Sequence, residues 1–315
     1  MIATNVDTEE YGKMFPRVNH IFNSSAFNEL NKDKAERVEY IVFQKEGKNK
    51  MGIIGGIKNK TFCSPFSAPF GGLYCENEPD ITNIEEAYNS LEAYLVNKGV
   101  DAIRITLPPS IYNESLMSVL YNVSFREGYS ISMIDLNFQF ELDKFNDDYL
   151  QKVAKYNARK NYNLGAKNGL GIEKVRGEEK IKLAYNIIET NRRQRGFPLK
   201  MSLENIKKTI KVVPADFFIV YSTEGTPIAS AMVYSVTDKI AQVVYWGHNV
   251  EHSALKPINY LSYKLFEYYK QAGFEYLDIG PSTDAGVPNY GLIEFKQSIG
   301  CSISPKLTFE KKLAK

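Results

Sequence analysis

The stretch that decides the fold reads IAQVVYW at residues 240–246, PINYLSYKLFEYYKQAG at 257–273 and FEYLDIG at 274–280. The first and last parts are apolar runs of strand length, and the middle part has helical spacing. The predicted buried face of that helix consists of Ile258, Leu261, Leu265 and Tyr269. Gly273 ends the helix. A strand, a helix and a second strand in this order predict a right-handed parallel crossover within one sheet.

The same order of elements occurs in both halves of the chain. In the second half, basic helices and strands at 217–221 and 228–235 precede this stretch. In the first half, apolar and alternating runs predict strands at 38–44, 51–57, 102–107 and 130–142. Helical spacing predicts first-half helices around 84–95 and 114–127.

Two pairs of short segments also match between the halves. Residues 98–103 (KGVDAI) align with 272–277 (AGFEYL), and 128–132 (GYSIS) align with 300–304 (GCSIS). Because both pairs follow corresponding elements in the same order, they favour an internal duplication.

The fold class predicted from this order is α/β (α+β), with two tandem domains at 1–145 and 146–315. Each domain is expected to be a mixed sheet with helices on both faces. This is the plan of the GNAT acyltransferase fold. Other α/β domains share parts of it, so the plan alone does not determine function.

Composition is that of an ordinary globular protein of two domains. The chain has 315 residues, of which 43% are hydrophobic and 24% charged. Residues 1–10 contain neither a basic start nor an apolar run, and no stretch reaches the roughly eighteen apolar residues of a membrane span. Cys63, Cys75 and Cys301 have no paired spacing, so we interpret them as core residues. We therefore expect a protein of the reducing cytoplasm.

Positive charge is concentrated in one segment. Residues 151–211 contain sixteen lysines and arginines against five acids, while the whole chain has a net charge of only +2. Such a segment attracts nucleotide phosphates, tRNA, a lipid diphosphate or an acidic membrane surface. A solvated helical surface is the alternative. Lys152, Lys155 and Arg159 have the spacing of three cations on one helical face.

Four segments in the second half resemble a known family when taken in order. They read YWGHN at 245–249, KPINYL at 256–261, YLDIGPS at 276–282 and GLIEFKQSIG at 291–300. This succession resembles the Fem-type peptidyltransferases and the related GNAT-like acyltransferases of bacterial envelope synthesis. The resemblance covers residues 150–310 and extends to the first half only through architecture.

The resemblance implies roles for several residues. Lys296 matches the lysine with which Fem-type enzymes stabilise charge on the reacting acyl group. Tyr245 and Trp246 match an aromatic strand end that lines the acceptor site, and Arg159 and Lys160 match basic residues at the start of the second half. The competing interpretation of Lys296 is a solvated surface lysine.

One feature departs from the acetyl-CoA-binding GNAT enzymes. Those enzymes hold the CoA pyrophosphate with a glycine-rich loop at a helix N-terminus. Residues 253–258 (SALKPI) contain no glycine at the corresponding place. We therefore do not expect CoA to bind in the standard manner, although Lys256 and the helix start at Pro257 could hold one phosphate. No tightly bound cofactor is expected, and acyl-CoA and aminoacyl-tRNA remain the two candidate donors.

Three further polar residues have both a functional and a structural interpretation. Asp278 could be a general base, an orienting carboxylate, or a turn residue that bonds the amides of Gly280 and Ser282. His248 could accept a proton, or could be an exposed loop histidine. Asn259 could contact substrate or cap a helix.

The remaining signals concern anions and metals. The dense cluster of Arg192, Arg193 and Arg195 favours phosphate or carboxylate binding over a solvated surface. Residues 248–252 (HNVEH) have the spacing of a zinc motif, but that chemistry needs both histidines on one helix. Because His248 directly follows strand residues, we expect no metal site.

These observations predict an enzyme that moves an acyl or aminoacyl group to an amine or hydroxyl of an envelope or cell-surface precursor. A conventional acetyl-CoA-dependent N-acetyltransferase is the alternative within the same class. A catalytically silent binding protein for nucleic acid or anionic lipid is the alternative outside it. The expected partners are a small-molecule or lipid-linked acceptor, tRNA, and the surface of a membrane.

Overall fold

The computed structural model describes residues 1–76 and 80–314. Its strands are β1 (Ile2–Val6), β2 (Arg37–Lys45), β3 (Lys48–Lys58), β4 (Thr61–Ser64), β5 (Leu73–Cys75), β6 (Ala102–Thr106), β7 (Ser130–Glu141), β8 (Gly171–Val175), β9 (Ala215–Tyr221), β10 (Pro227–Ser235), β11 (Ile240–His248), β12 (Tyr276–Pro281), β13 (Thr283–Asp284), β14 (Val287–Pro288) and β15 (Ser302–Lys312). Its α-helices are α1 (Thr8–Met14), α2 (Ser25–Leu30), α3 (Ile81–Asn97), α4 (Glu114–Arg126), α5 (Tyr156–Lys167), α6 (Glu178–Gln194), α7 (Leu203–Thr209), α8 (Pro257–Gln271) and α9 (Tyr290–Ser298).

Internal contacts divide the chain into two compact units. The first unit contains the residues up to Leu136 together with those from Ser304 onward, and the second contains Asn137–Ile303. The chain therefore crosses the boundary within β7 and again within β15.

The first unit is built on a mixed sheet. Its strand order is β1-β2-β3-β4-β6-β15, with β5 paired to β3. β4 and β6 are parallel, and β6 and β15 are antiparallel. Helices α3 and α4 bury their apolar faces in one core with this sheet, as the helical spacing predicts.

The second unit has the order β7-β12-β11-β10-β9-β8. β11 and β12 are parallel, and β12 and β7 are antiparallel. On one face, Ala229 and Ala231 of β10 share a core with Leu261 and Leu265 of α8. On the other face, Ser230 donates a hydrogen bond to the carbonyl of Ala184 in α6 at 2.6 Å. The predicted mixed sheet with helices on both faces is confirmed for this unit.

The last strand of each half pairs in a way that the local pattern does not predict. After α4, β7 pairs with β12 of the second unit. After α9, β15 pairs with β6 of the first unit. Both pairings join segments more than a hundred residues apart in the chain, which only tertiary contacts can specify.

The matched sequence segments have the same local geometry. Gly99 and Gly273 both follow a helix and adopt positive φ angles of 75° and 82°. The amide of Val100 donates to Leu95 at 3.0 Å, and that of Phe274 donates to Tyr269 at 3.1 Å. The common geometry is consistent with a duplication, which stays a prediction.

Two expectations concern membranes and cysteines. Among the described residues, no helix has the length and apolar character needed to cross a bilayer.

Cys63, Cys75 and Cys301 carry free thiols and are half-buried, so the prediction of core cysteines is only partly right. Burial raises the pKa of the Cys301 thiol to about 12.

Candidate active site

The parallel strands β11 and β12 pair over a short length only. Their register joins Ile240 to Tyr276, Ala241 to Leu277 and Gln242 to Asp278. β11 then continues to His248 and β12 to Pro281, but among the described residues the two strands form no further pairs with each other. The two strands are therefore not paired with each other beyond Gln242 and Asp278, and we call this unpaired region between their C-terminal ends the gap. Ligands of open α/β sheets commonly bind at the C-terminal ends of strands.

Lys296 of α9 lies at the β12 side of this gap. Its side chain is only 1% exposed. The Nζ atom donates hydrogen bonds to the carbonyl oxygens of Ile279 at 2.9 Å, Gly280 at 2.8 Å and Pro281 at 3.1 Å. An ammonium group has three donors, so these carbonyls accept all of them. The interpretation of Lys296 as a solvated surface lysine is wrong.

The surroundings of Lys296 change its protonation. Burial lowers the pKa of the Lys296 ammonium to about 8, because the charged form loses its hydration. The negative charge of Asp278 acts in the opposite direction. The ring of Phe138 lies 5.3 Å from Nζ and contributes a cation–π contact. Lys296 therefore titrates much closer to neutrality than an ordinary lysine.

Asp278 holds the carbonyl turn in place. It is fully buried, and its Oδ1 accepts hydrogen bonds from Asn137 Nδ2 at 2.9 Å and from the amide of Gly280 at 2.8 Å. Its Oδ2 accepts from Gln242 Nε2 at 2.8 Å. The predicted contact with the Gly280 amide is confirmed. With three donors around it, the carboxylate is placed to orient the turn, and the general-base role stays a prediction.

Sequence reasoning missed Asn137 and Gln242. Both are nearly fully buried polar residues that hold the Asp278 carboxylate from neighbouring strands. A signal was present for Gln242, which is the one polar residue in the apolar run at 240–246. A polar side chain in a buried strand needs a partner and therefore marks a network.

The predicted aromatic pair lies on β11. The ring of Trp246 lies 5.9 Å from that of Phe295, the residue before Lys296. Tyr245 points to the other face, as strand alternation requires, and the guanidinium of Arg192 lies 5.8 Å from its ring. Burial raises the pKa of the Tyr245 hydroxyl, and the charge of Arg192 lowers it.

His248 is buried at the end of β11, with 9% of its surface exposed. The interpretation as an exposed loop histidine is therefore wrong. Its Nε2 lies 3.0 Å from Ser253 Oγ, and its carbonyl accepts from Asn191 Nδ2 at 2.6 Å. Burial, and then the positive charge of Arg195, lower the pKa of the His248 imidazole. The ring is thus neutral at pH 7 and has a nitrogen that can accept a proton.

The second histidine of the zinc-like spacing lies in a different element. His252 belongs to a 3₁₀ segment, Val250–Leu255, whereas His248 ends a strand, so one helix does not carry both. Within the described ranges, no group of three potential ligands could hold a metal ion.

The start of α8 differs from one expectation. Pro257 is the first helical residue, and Lys256 precedes it in a left-handed conformation with φ of 58°. No side chain caps this helix, so the interpretation of Asn259 as a cap is wrong. The contact of Asn259 and Lys256 with substrate stays a prediction.

The segment that replaces the glycine-rich loop is packed against α5. A Cβ atom on Gly165 would lie 3.4 Å from the carbonyl oxygen of Leu255 and 3.2 Å from Tyr260 Cβ. A side chain at position 165 would require Tyr260 to shift slightly, so glycine eases the close approach of α5 to α8. The carbonyl of Leu255, at the end of the 3₁₀ segment, therefore lies against α5.

The three cations predicted to share a helical face do not share a helix. Lys152 lies in a π-helical segment, Tyr149–Val153, and α5 begins only after Lys155. The amide of Lys155 donates to the carbonyl of Ser298 at 2.8 Å, which separates the two helical segments. That prediction is wrong because a tertiary contact interrupts the helix.

The other predicted cations lie on α5 and α6. On α5, Arg159 is half-buried and its guanidinium lies 5.8 Å from the Tyr156 ring, while Lys160 is exposed. At the end of α6, Arg192 is half-buried, and Nε has no hydrogen-bond partner among the described residues. Its neighbours Arg193 and Arg195 are exposed. Four lysines of the cationic segment are ion-paired, namely Lys152 with Asp148, Lys174 with Asp216, Lys180 with Glu173 and Lys207 with Glu178.

Comparison with solved structures identifies the fold. The crystal structure of FemX matches with a TM-score of 0.73 and 13% identity, covering 99% of this chain and 98% of that one. The chain has a Fem-type, GNAT-like fold. This fold also occurs in the C-terminal domain of a protein named as a lysylphosphatidylglycerol synthetase from Agrobacterium fabrum, with a TM-score of 0.63, 13% identity and coverage of 96% and 92%. A tandem GNAT protein of the clavulanic acid biosynthesis pathway matches with a TM-score of 0.56, 9% identity and coverage of 99% and 98%.

Comparison by sequence gives no match. Neither a protein-family model nor a curated protein sequence matches the chain. The Fem-type fold is therefore established through the comparison of structures, at sequence identities of 9% to 13%.

Proposed function

We propose that this chain transfers an activated acyl or aminoacyl group to an amine or hydroxyl of a cell-envelope precursor. The observation that carries the proposal is the gap beyond Gln242 and Asp278, where the buried ammonium of Lys296 is held by three carbonyls of β12. A buried cation can stabilise charge that develops on a substrate carbonyl, because its field is weakly screened there. The fold shared with FemX supports this assignment.

The geometry suggests how Lys296 would act. Its Nζ protons are all engaged, and the contact with Pro281 is the longest of the three at 3.1 Å. Pro281 is also exposed, whereas Ile279 and Gly280 are buried. When the acceptor amine or hydroxyl attacks the donor carbonyl, the oxyanion would replace the carbonyl of Pro281 at Nζ. The other two contacts would keep the ammonium in position. Collapse of this intermediate would break the ester bond to the tRNA ribose, or the thioester bond to CoA, and the released alcohol or thiol would take up the proton that the acceptor loses.

The attacking group must also lose a proton. His248 is neutral at pH 7, so its unprotonated ring nitrogen can accept this proton. Because Ser253 Oγ donates its own proton to the carbonyl of Val250, His248 Nε2 donates to Ser253 Oγ, and Nδ1 is the proposed acceptor. Asp278 is proposed as a positioning residue, since it fixes the turn whose carbonyls hold Lys296. Tyr245 and Trp246 would then line the side of the gap that receives the acceptor.

One feature favours aminoacyl-tRNA over acyl-CoA as the donor. The segment Val250–Leu255 stands where acetyl-CoA-binding GNAT enzymes have a glycine-rich loop, and it contains no glycine, so it lacks the loop type that cradles a pyrophosphate. The protein named as a lysylphosphatidylglycerol synthetase shares the fold, which is consistent with a lipid-linked acceptor.

A second candidate function follows from the engagement of Lys296. Because three backbone carbonyls already accept all protons of Nζ, the lysine could be purely structural. The chain would then be a silent binding protein for nucleic acid or anionic lipid. The test must therefore separate turnover from binding.

The decisive experiment compares Lys296→Met with Lys264→Met, a helix lysine of the same unit that is paired with Glu267. Thiol release from acetyl-CoA with a panel of amines tests acyl-CoA as the donor. Gel shift with charged and uncharged tRNA, followed by transfer assays, tests aminoacyl-tRNA as the donor. We expect Lys296→Met to lower turnover by two to three orders of magnitude, on the order of 3 to 4 kcal/mol, with little change in substrate binding. Turnover within about a factor of two of wild type in folded Lys296→Met would contradict this role.

A further inference from the structure

The C-terminal end of α6 presents an aromatic side chain in a rigid turn. The amide of Gly196 donates to the carbonyl of Arg193 at 3.1 Å, and that of Phe197 donates to Arg192 at 3.0 Å. Gly196 adopts φ of 78°. This pair of hydrogen bonds is the Schellman motif, which satisfies the last carbonyls of a helix. The direction of the chain at Phe197 is therefore set by backbone hydrogen bonds.

Phe197 is more exposed than a residue that packs fully at this place of the motif. In a Schellman motif, the residue after the glycine commonly packs against the last turn of the helix. Phe197 is instead 57% exposed, and Pro198 beside it is exposed as well. An exposed ring held on a rigid turn loses little conformational entropy when a partner buries it.

The sequence of the turn carries positive charge only. Arg193, Arg195 and Lys200 are exposed, and none has an ion pair among the described residues. No aspartate or glutamate occurs at positions 190–203. The cations are thus available to an external anionic partner, in contrast to the four ion-paired lysines elsewhere in the cationic segment.

We propose that this turn, residues 192–200, docks the protein on an anionic lipid bilayer. Phe197 and Pro198 would enter the boundary between headgroups and acyl chains, and the cations would contact anionic headgroups. A bilayer surface satisfies both features at once, because it offers an apolar layer directly beneath a charged one. A nucleic acid would use the charges, but it gives no comparable reason for the exposed Phe197 and Pro198.

The turn lies close to the candidate active site within the same unit. Arg192 contacts the ring of Tyr245, and the charge of Arg195 lowers the pKa of His248. Docking through this turn would therefore bring the end of β11 to the membrane surface, where a lipid-linked acceptor resides. Only this consequence rests on the proposed function, whereas docking itself is independent of any reaction.

The test is cosedimentation of the whole chain with vesicles. Phosphatidylcholine vesicles are compared with vesicles that also contain phosphatidylglycerol. We expect wild type to bind only the anionic vesicles, with an affinity that falls as salt rises. Arg193→Gln with Arg195→Gln should weaken binding by about fivefold per cation. Phe197→Ala should weaken it by about tenfold.

The matched control is Phe125→Ala, because Phe125 is 76% exposed and lies at the end of α4 in the other unit. It should leave vesicle binding unchanged. Absence of wild-type binding, or equal binding by the wild-type, Phe197→Ala and Arg-to-Gln proteins, would overturn the proposal. A gel shift with tRNA that responds to the arginine variants, without vesicle binding, would assign the turn to nucleic acid instead. Because no substrate is present, these results leave the transferase proposal to its own assay.

Discussion

Lys296 and Asp278 both bind the backbone of Gly280, Lys296 at its carbonyl and Asp278 at its amide. Lys296 Nζ donates to the Gly280 carbonyl at 2.8 Å, and Asp278 Oδ1 accepts from the Gly280 amide at 2.8 Å. Gly280 itself has a positive φ of 70°. The cation and the carboxylate therefore fix one turn at the end of β12.

The first prediction concerns the stability contribution of Lys296. Lys296→Met leaves three carbonyls without their donor and Asp278 without a nearby cation, so the free energy of unfolding should fall by about 3 kcal/mol. Urea denaturation measures this change. Lys264→Met removes a partly exposed ion pair and should change it by less than about 1 kcal/mol. Equal changes in the free energy of unfolding for the two substitutions would mean that the buried contacts of Lys296 stabilise the fold no more than an exposed ion pair does.

A second prediction uses pH. The pKa of Lys296 is lowered from 10.5 to about 8 in the folded chain. Between these values the unfolded chain binds more protons, so the contribution of Lys296 to stability rises as pH increases above about 8. The free energy of unfolding of wild type minus that of Lys296→Met should increase from pH 7.5 to pH 9.5, by at most about 2 kcal/mol. A difference that is flat or falls with pH would refute a depressed pKa.

The third prediction tests Asp278 as a positioning residue. In Asp278→Asn, an amide NH₂ replaces either the oxygen that accepts from Asn137 Nδ2 and the Gly280 amide or the oxygen that accepts from Gln242 Nε2. The free energy of unfolding should fall by about 2 to 3 kcal/mol. Asp284→Asn, at an exposed position of the β13–β14 hairpin, is the control and should have little effect. If activity is found, a positioning role lowers turnover without removing the acidic limb of the pH profile. Loss of that limb would identify a general base instead.

A fourth prediction separates backbone conformation from packing. Gly280 and Gly300 both have positive φ, at 70° and 89°. A Cβ on Gly280 would meet no atom within 4 Å, whereas one on Gly300 would lie 2.4 Å from Val153 Cγ1. Gly280→Ala should therefore cost about 1 kcal/mol of stability, and Gly300→Ala clearly more, about 2 to 4 kcal/mol. Thermal or urea denaturation measures both losses. A larger loss of stability in Gly280→Ala than in Gly300→Ala would contradict the structure.

Local sequence patterns predicted the regular elements well. Ile84, Leu91 and Leu95 recur at helical spacing and are buried in α3, and Leu261 and Leu265 do the same in α8. These features are local, because the period of an amphipathic element reports which face will be buried. The matched segments in the two halves and the ordered motifs around Lys296 likewise predicted the GNAT-like fold.

The environment of the candidate site depended on tertiary structure. By sequence, Lys296 has the ordinary appearance of a helix surface lysine, yet the turn at Ile279, Gly280 and Pro281 surrounds its Nζ. Asp278 likewise meets Asn137, which lies 141 residues earlier in the chain. Such contacts arise when strands pair and exclude water, so no local pattern encodes them.

The sequence by itself therefore determined the elements, their repeated order and the residues worth testing. Only the tertiary structure decided that β7 pairs with β12 and β15 with β6, and that Lys296 and His248 are buried. The physical reason is that periodicity expresses local burial preference, whereas strand partners and side-chain pKa values depend on which distant segments exclude solvent together.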